Sequence, residues 1–334
     1  MRVLLVSPGF HGYHRAVSAA LVARGHVVST HVYDDHGGVV GRTWHQVRHQ
    51  LPRRIGAGSL RRLAREETTA AATVVERARP QAVVVIKGDT LGLRFWEALA
   101  GIPRVTWLYD EVRRTRWTTD RLAAAGPLAT YSAHDHAAFT SAGLGSRHLP
   151  LAYDHRLLPS PTQARTATVS FIGARYPARE QVLTGLQERA VPVRAYGRDW
   201  SGHPVDRIRT WRVATPPVPA ERDLPRAAAY DVMAASAATL NLHGDQDGFT
   251  MRTFEAAGVG GVQVIDRADV DSLYEPGTEV ATWSDPDELA ELCRRALTDS
   301  SWTGPLRRAA RARTLAEHTF DHRVAVLEDA WDTV

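Results

Sequence analysis

The sequence predicts an α/β protein built from two doubly wound halves that face a central cleft. Three observations lead to this prediction: the length, an alternation of short apolar runs with helical stretches, and a proline-rich interruption near the middle. The chain has 334 residues, which corresponds to about two domains. Hydrophobic residues make up 44% and charged residues 23%, values that are typical of a globular protein and exclude disorder.

The first half begins with a strand, a glycine turn, a helix and a second strand. Residues 2–7 (RVLLVS) are β-type, residues 14–24 place apolar side chains at helical spacing, and residues 27–32 resume the β pattern. This order is typical of a parallel sheet with crossover helices. The later predicted elements of this half are a helix over 58–79, a strand over 82–86, a helix over 91–100, strands over 105–109 and 128–132, and a helix over 134–142.

A proline- and turn-rich stretch, 149–161, is predicted to link the halves. The β/α alternation then resumes, and residues 205–226 are predicted to be irregular because they are rich in proline. The predicted elements of the second half are strands over 169–172, 193–196, 238–242 and 262–265, and helices over 179–189, 230–235, 249–258, 289–297, 306–316 and 320–331. In such folds, ligands bind beyond the carboxyl ends of the strands.

Composition excludes several classes of function. A net charge of +4, with basic residues dispersed among acidic ones, argues against nucleic-acid binding. The single cysteine, Cys293, excludes an intrachain disulfide and a cysteine zinc cluster, and it suits a reducing, cytoplasmic compartment. The apolar run at the N-terminus is too short for a signal peptide, and no window reaches the ~20 apolar residues of a membrane span. Lys87 is the single lysine among 41 basic residues.

Two glycines and a histidine follow the first predicted strand. Gly9 and Gly12 would let main-chain amides approach a substrate, and His11 between them is a candidate base or substrate ligand. The spacing is not G-x-G-x-x-G, so a nicotinamide cofactor is not expected. His11 in a tight turn with no chemical role is the equal alternative.

Charged residues also follow the next two strands of the first half. Lys87 and Asp89 come after the strand 82–86, and Asp110 comes after the strand 105–109. Asp110 is the main candidate for a general base or a ligand of sugar hydroxyls. The alternative is a helix cap or an ion pair with a neighbouring arginine. Lys87 and Asp89 are expected at the same edge of the sheet, near the acceptor.

Glycine turns with arginines follow the first two strands of the second half. Gly173 is followed by Arg175 and Arg179, whose planar guanidinium groups suit a diphosphate. A solvated first helical turn is the alternative. Tyr196 and Gly197, which end the strand 193–196, are assigned to the same nucleotide site.

The segment 241–261 carries the most specific pattern. It begins at the end of a strand, passes His243 and a polar loop, and enters a helix. The loop and helix start would offer amides to phosphate oxygens from residues 248–252, including Gly248, Phe249, Thr250 and Arg252. If the helix starts near Asp247, the carboxylates of Asp247 and Glu255 lie on roughly one face. One of them could hold the transferred sugar and the other the ribose diol. An ordinary capped helix is the alternative.

No metal is inferred. Asp245-Gln246-Asp247 spells D-x-D, but it lies late in a second β/α half, unlike the fold in which that motif binds a metal–diphosphate. The 15 histidines form no recurring pair with a third ligand, and His134 and His136 diverge on a helix. Neither a Walker A pattern nor a G-x-S-x-G elbow occurs.

The 241–261 segment is similar to the GT-B glycosyltransferases, in particular the CgeB-like (spore-maturation-protein-like) branch. The branch pattern is matched here by Asn241, His243, Asp247, Gly248, Arg252, Phe254, Glu255, Ala256, Gly260 and Gly261. Residues 271–277 and 317–323 also resemble the branch. So do Lys87-Gly88, the strand end at Trp107 to Asp110, and Phe171-Ile172-Gly173.

The resemblance implies three parts: an acceptor domain over 1–153, a nucleotide-sugar donor domain over 154–316, and a C-terminal helix over 317–334 that returns to the first domain. Both domains would be Rossmann-like, and loop 34–58 would shape the acceptor site. Glu255 is similar to the second glutamate of the E-x7-E motif, which binds the donor ribose. Asp247 stands at the first glutamate and has a shorter reach. Arg175 or Arg179 would bind a donor phosphate, and no metal or other cofactor would be needed.

The sequence therefore predicts a metal-independent glycosyltransferase of the hexosyltransferase type. Its partners would be a nucleotide-diphosphate sugar and a small-molecule or glycan acceptor. Arginines and a helix N-terminus would neutralise the leaving diphosphate. A nucleotide-sugar epimerase of similar fold and a non-catalytic nucleotide- or sugar-binding protein are the alternatives.

Overall fold

A computed structural model describes residues 1–35, 57–160, 164–211 and 214–331. Most of the predicted acceptor loop 34–58 lies outside these residues, as do residue 161 of the predicted linker and residues 212–213 of the segment predicted to be irregular. The chain divides into two compact units. Unit 1 contains Met1–Leu151, Asp247–Phe249 and Phe320–Val334, and unit 2 contains Ala152–Gln246 and Thr250–Thr319.

Unit 1 is built on a six-stranded sheet whose described strands are all parallel, in the order β2-β1-β3-β4-β5-β6. The strands are β1 (Arg2–Ser7), β2 (Val27–Val32), β3 (Ala82–Ile86), β4 (Arg104–Leu108), β5 (Leu128–Thr130) and β6 (Ser146–His148). All five side chains of β3, the AVVVI run, are buried. This continuous apolar character is typical of a parallel strand that is covered on both faces.

The helices of unit 1 cover this sheet. They are α1 (Tyr13–Ala23), α2 (Ala57–Ala78), α3 (Leu93–Ala98), α4 (Thr119–Ala124), α5 (Ala133–Ser141) and α12 (Phe320–Trp331). Phe320 of α12 lies 6.3 Å from the ring of Tyr13 and 6.2 Å from the ring of Trp107. The C-terminal helix thus packs its aromatic N-terminus onto α1 and β4.

Unit 2 repeats the architecture with the strand order β12-β11-β10-β7-β8-β9, again parallel throughout the described strands. The strands are β7 (Thr166–Ile172), β8 (Val193–Tyr196), β9 (Ala220–Glu221), β10 (Ser236–Asn241), β11 (Gln263–Ile265) and β12 (Ala281–Thr282). The helices are α6 (Pro177–Glu188), α7 (Pro204–Thr210), α8 (Arg226–Ala235), α9 (Met251–Gly258), α10 (Pro286–Thr298) and α11 (Ser300–Glu317).

The predicted doubly wound α/β class is confirmed, whereas several local predictions are wrong. The helix α4 and the strands β6, β9 and β12 were not predicted. The segment 205–226 is not irregular throughout, because Pro204 at the first helical position starts α7 and the His203 ring accepts from the Val205 amide. The helix predicted over 306–316 starts six residues earlier, capped by Asp299. The helix predicted over 249–258 starts at Met251, so Asp247 lies before it.

Candidate active site

Unit 1 brings its predicted chemical residues to one edge of the sheet. His11 follows β1, Lys87 follows β3 and Asp110 follows β4, and these three strands are neighbours in the sheet. Because the strands are parallel, their carboxyl ends lie at the same edge.

Lys87 and Asp110 form an ion pair across the ends of β3 and β4. Their side chains are 30% and 39% exposed, so the pair is open to solvent on one side. Lys87 has φ 62°, a left-handed conformation that costs a residue with a long side chain roughly 1 kcal/mol or more. Gly88 follows with φ 76°. The chain thus keeps its single lysine at a position where glycine would be less strained.

The loop after β1 is turned tightly. The Gly9 amide donates to Oδ1 of Asp34 at 2.6 Å, and the Gly12 amide donates to the Gly9 carbonyl at 3.2 Å. His11 has φ 45°, is exposed, and meets the Phe10 ring edge-on at 4.4 Å. The Gly9 amide is therefore engaged by Asp34, whereas the His11 ring reaches solvent.

Asp89 is buried, and its carbonyl and carboxylate both accept hydrogen bonds. The carbonyl accepts from Nη1 of Arg121 at 2.9 Å, and Oδ2 accepts from the Arg116 amide at 3.3 Å. Its contacts therefore hold the segment 114–121 in place. We find the Asp89 carboxylate turned towards this segment, at 8% exposure.

Asp247 lies at the N-terminus of α5. Its Oδ2 accepts from the Ser132 hydroxyl at 2.5 Å and from the His134 amide at 3.0 Å. Its own amide donates to Oε1 of Glu111 at 2.8 Å. A carboxylate is stabilised there by the positive end of the helix dipole. The expectation that Asp247 shares a helical face with Glu255 is wrong, because α9 begins four residues after Asp247.

Gly248 permits this arrangement. An added Cβ at position 248 would lie 2.2 Å from Cδ2 and 2.3 Å from the carbonyl oxygen of Tyr131. No side chain fits at those distances, so the close approach requires glycine. Phe249, the next residue, is 9% exposed.

In unit 2, two of the predicted glycines meet each other. The Gly173 amide donates to the Tyr196 carbonyl at 3.0 Å, and a Cβ at Gly197 would lie 2.5 Å from the Gly173 carbonyl oxygen. The Gly173 carbonyl also accepts from the indole of Trp200 at 3.0 Å. Burial and nearby Glu221 raise the pKa of the Tyr196 phenol. The ends of β7 and β8 are thus joined by backbone contacts.

Arg175 is engaged by a carboxylate. Its Nε and Nη2 donate to the two oxygens of Glu180, each at 2.8 Å, and its guanidinium lies 5.5 Å from the ring centre of Trp200. The residue is 5% exposed. The side-chain hydrogen bond to Glu180 raises the pKa of Arg175 further. This geometry is that of a fork-to-fork pair which fixes the turn after β7.

Arg179 lies between the ends of β7 and β10. It donates through Nε and Nη2 to the Leu242 carbonyl, at 3.0 and 2.5 Å, and through Nη1 to the Ala174 carbonyl at 3.3 Å. The guanidinium also lies 5.0 Å from the ring centre of the exposed Tyr176. Arg179 is half-buried. Of the two predicted phosphate ligands, it is the more accessible.

The start of α9 has no side-chain cap, and an ion pair joins its first turn to its second. Thr250, the N-cap residue, makes no side-chain hydrogen bond to the helix, and the first turn contains no acidic residue. Nη1 of Arg252 donates to Oε2 of Glu255 at 2.5 Å. The Glu255 side chain is fully buried, whereas that of Arg252 is 23% exposed. The arginine thus balances the buried carboxylate and reaches the surface.

His243 is held from both sides. Its Nδ1 lies 2.8 Å from Oδ1 of Asp266, its Nε2 lies 3.2 Å from Oγ1 of Thr253, and its amide donates to Oδ2 of Asp266 at 2.7 Å. The side chain is buried. Asn241 donates to the same Thr253 hydroxyl at 2.7 Å. This network fixes the end of β10 against α9 and β11.

Sequence reasoning missed two residues around Asp247. Glu111 has a side chain that is 2% exposed, and it pairs with Nε of Arg113 at 2.6 Å and Nε of Arg114 at 3.3 Å. Ser132 caps α5 by accepting from the Asp135 amide at 3.0 Å. The S-x-x-D spacing at 132–135 is a capping signal in the sequence, but nothing in the sequence indicates that Asp247 would join it.

Within the described residues, no group of three histidine, cysteine or carboxylate side chains is arranged to hold a metal ion. None of the described helices has the length and apolar character needed to cross a bilayer.

The second half of the chain matches the model of a transferase family. Residues 176–329 match the family model described as glycosyl transferase-like. No curated protein sequence matches the chain significantly.

The solved structures that are similar to this chain match it over all or nearly all of its length. Sucrose-phosphate synthase from Thermosynechococcus elongatus has a TM-score of 0.67 at 14% identity, covering 100% of this chain and 98% of that one. HepE from Anabaena, in complex with UDP and glucose, has a TM-score of 0.65 at 16% identity, covering 100% of both chains. AviGT4, a glycosyltransferase involved in avilamycin A biosynthesis, has a TM-score of 0.61 at 15% identity, covering 99% and 97%. Together with the two parallel sheets, these likenesses identify the fold of the chain as GT-B.

Proposed function

We propose that the protein is a glycosyltransferase that moves a sugar from a nucleotide-diphosphate sugar to an acceptor hydroxyl. The observation that carries the proposal is the ion pair between Arg252, in the first turn of α9, and Glu255, one turn further on, in a helix whose first turn has neither an acidic residue nor a side-chain cap. This pair lies inside the segment that matches the glycosyl transferase-like family model. The finer assignment to the CgeB-like branch is part of the same proposal.

The donor site is assigned to the carboxyl ends of β7, β8 and β10 in unit 2. Glu255 would accept hydrogen bonds from the ribose hydroxyls, which requires that donor binding exposes its buried carboxylate. Arg252, Arg179 and the main-chain amides at the start of α9 would hold the diphosphate. We favour Arg179 over Arg175 for this role because Arg175 is nearly buried and already binds Glu180 through two nitrogens.

Several donor-site residues would act through others rather than on the donor. Gly173, Tyr196 and Gly197 would set the path of the two strand ends by their mutual close approach. His243, which is buried between Asp266 and Thr253, would orient the first turn of α9. Gly248, Phe249 and Thr250 would set the course of the loop into that helix. Asp247, fixed by Ser132, remains the candidate for contact with the transferred sugar.

In the transfer step, the bond between the anomeric carbon and the diphosphate oxygen breaks, and the nucleoside diphosphate leaves with the bonding electrons. The acceptor oxygen forms the new bond to that carbon and gives its proton to a base. Asp110 or His11 of unit 1 is proposed as that base, with Gly9, Gly12 and Lys87 around the acceptor. Asp89, which is buried, would act there through the segment 114–121 that it holds. Positive charge on the arginines and the helix N-terminus would stabilise the leaving diphosphate without a metal ion.

HepE was solved with UDP and glucose, so UDP-sugars are the first donors to test. A thermal-shift screen of UDP-, GDP-, ADP- and TDP-sugars should give one nucleotide that stabilises the protein. Glu255→Gln should then weaken binding of that nucleotide by about tenfold or more, because a ribose-bound carboxylate is lost. The control is Glu291→Gln in α10, because Glu291 also forms an i,i+3 ion pair, with Arg294, but is exposed. Glu291→Gln should leave the affinity unchanged.

Product analysis separates transfer from the two alternatives. Release of free nucleotide that depends on an added acceptor supports transfer. An altered sugar still attached to its nucleotide would support an epimerase, and binding without turnover of any donor would support a binding protein. Unchanged nucleotide affinity in Glu255→Gln would refute the donor-site assignment. The reducing, cytoplasmic compartment, which rests on the single cysteine, stays part of the proposal.

A further inference from the structure

The helix α7 presents apolar side chains to solvent. Val205 and Ile208, one helical turn apart, are 43% and 71% exposed, and Trp211, directly after the helix, is 68% exposed. By contrast, Asp206 of the same helix is buried at 3% exposure and accepts from Nε and Nη2 of Arg222, at 2.7 and 3.1 Å. The helix thus turns its carboxylate inward and its apolar side chains outward, the reverse of an ordinary surface helix.

Trp211 is held in a strained conformation. It terminates α7 with φ 55°, the left-handed position that glycine usually occupies after a helix. A bulky aromatic residue there is a clear outlier. Strain of this kind, together with an exposed indole, indicates that the side chain serves something other than the fold.

The segment that carries this face is cationic in sequence. Residues 203–211 (HPVDRIRTW) contain two arginines and one aspartate, and the aspartate is the buried, arginine-paired Asp206. Large side chains have areas of about 150–250 Å² each. With the exposed fractions given above, the three apolar side chains together present roughly 400 Å² to solvent. That is about half of what each partner in a stable protein–protein interface buries. A small apolar face with an indole and arginines is typical of segments that adsorb to a bilayer.

We propose that the face formed by Val205, Ile208 and Trp211 docks the protein reversibly on an anionic lipid surface. The apolar side chains enter the interfacial region, where tryptophan is favoured, and the cationic segment is attracted to the anionic headgroups. This binding does not depend on the proposed transferase activity. It is peripheral adsorption and involves no spanning helix.

The test is co-sedimentation of the full chain with phosphatidylcholine vesicles prepared with and without phosphatidylglycerol. The wild-type protein should bind the anionic vesicles and not the neutral ones, and added salt should weaken that binding. The double variant Ile208→Ser/Trp211→Gly should have an affinity for the anionic vesicles that is lower by about tenfold or more. Val22→Ser is the control, because Val22 is 55% exposed on α1 of unit 1 and valine and serine have similar helix propensities. It should bind like the wild type.

Thermal unfolding separates docking from folding. Because glycine relieves the left-handed strain at position 211, Trp211→Gly should unfold at the same temperature as the wild type or a higher one. Equal binding of wild type to both kinds of vesicle, or undiminished binding of the double variant, would overturn the proposal. So would self-association of the wild type that the double variant abolishes, because the face would then be an interface between two copies.

Discussion

Gly258, the last residue of α9 in unit 2, packs closely against Tyr153. A Cβ added there would lie 2.4, 2.5 and 2.7 Å from Cγ, Cδ1 and Cδ2 of Tyr153. Carbon atoms in favourable contact are ~3.5–4.0 Å apart, so Gly258→Ala creates an overlap of about 1 Å with three ring atoms. The Tyr153 ring has little room to move, because it is fully buried and stacks on Tyr230 at 5.4 Å.

The expected cost follows from two opposing effects. Overpacking a rigid core site costs up to ~3 kcal/mol, and replacing glycine by alanine in a helix gains at most ~1 kcal/mol. Gly258→Ala should therefore lower the free energy of unfolding by ~2 kcal/mol. For a unit of this size, that corresponds to a fall in the unfolding midpoint of roughly 4–8 °C. Calorimetry on the purified chain would measure it.

Gly185→Ala is the matched control. Gly185 lies inside α6, and an added Cβ would meet only Nη1 of Arg189, at 3.5 Å. This variant should be stabilised by about 0.5–1 kcal/mol. In a Tyr153→Leu background, the cost of Gly258→Ala should fall by at least ~1 kcal/mol, because the ring is gone. A Gly258→Ala protein as stable as the wild type, or a cost unchanged by Tyr153→Leu, would refute the reasoning.

Two further outcomes are expected. Burial raises the pKa of the Cys293 thiol to about 12. Between about pH 9 and about 12, the thiol therefore loses its proton in the unfolded protein and keeps it in the native one. The free energy of unfolding should fall by up to ~1.4 kcal/mol per pH unit over this range. Cys293→Ala should flatten that slope in denaturant titrations, and a slope equal to that of the wild type would contradict the assignment. Arg307→Met should cost at least ~3 kcal/mol, because the Arg307 guanidinium donates to the main-chain carbonyls of residues 234, 236, 237 and 260. Exposed Arg308→Met is the control in the same melts, and equal stability of the two variants would rule out this role for Arg307.

Most of the fold was predictable because both sheets are parallel. A parallel strand buried on both faces is a continuous apolar run, and β3 is such a strand with the predicted bounds. β8 also has its predicted bounds, although its Arg194 is exposed. The helix over 320–331 also has its predicted bounds. The predictions failed where a local signal was overlooked, as at α7, where a histidine cap and Pro204 begin a helix inside a proline-rich segment.

The candidate site was predictable by position but not by pairing. Parallel topology fixes which residues follow neighbouring strands, so the sequence alone placed Lys87 and Asp110 at one edge. It gave no sign that Glu180 would engage Arg175.

The sequence by itself determined the class of fold, the order of the elements and the strand ends that carry polar residues, because apolar periodicity and turn residues act over a few positions. Only the tertiary structure decided which charges meet. Ser132 and Asp247 are 115 positions apart and Arg179 and Leu242 are 63 apart, and each pair is joined by a hydrogen bond. Such contacts depend on how distant segments are brought together, and a hydrogen bond needs its atoms placed to within a few tenths of an ångström. Local patterns carry no information at that range.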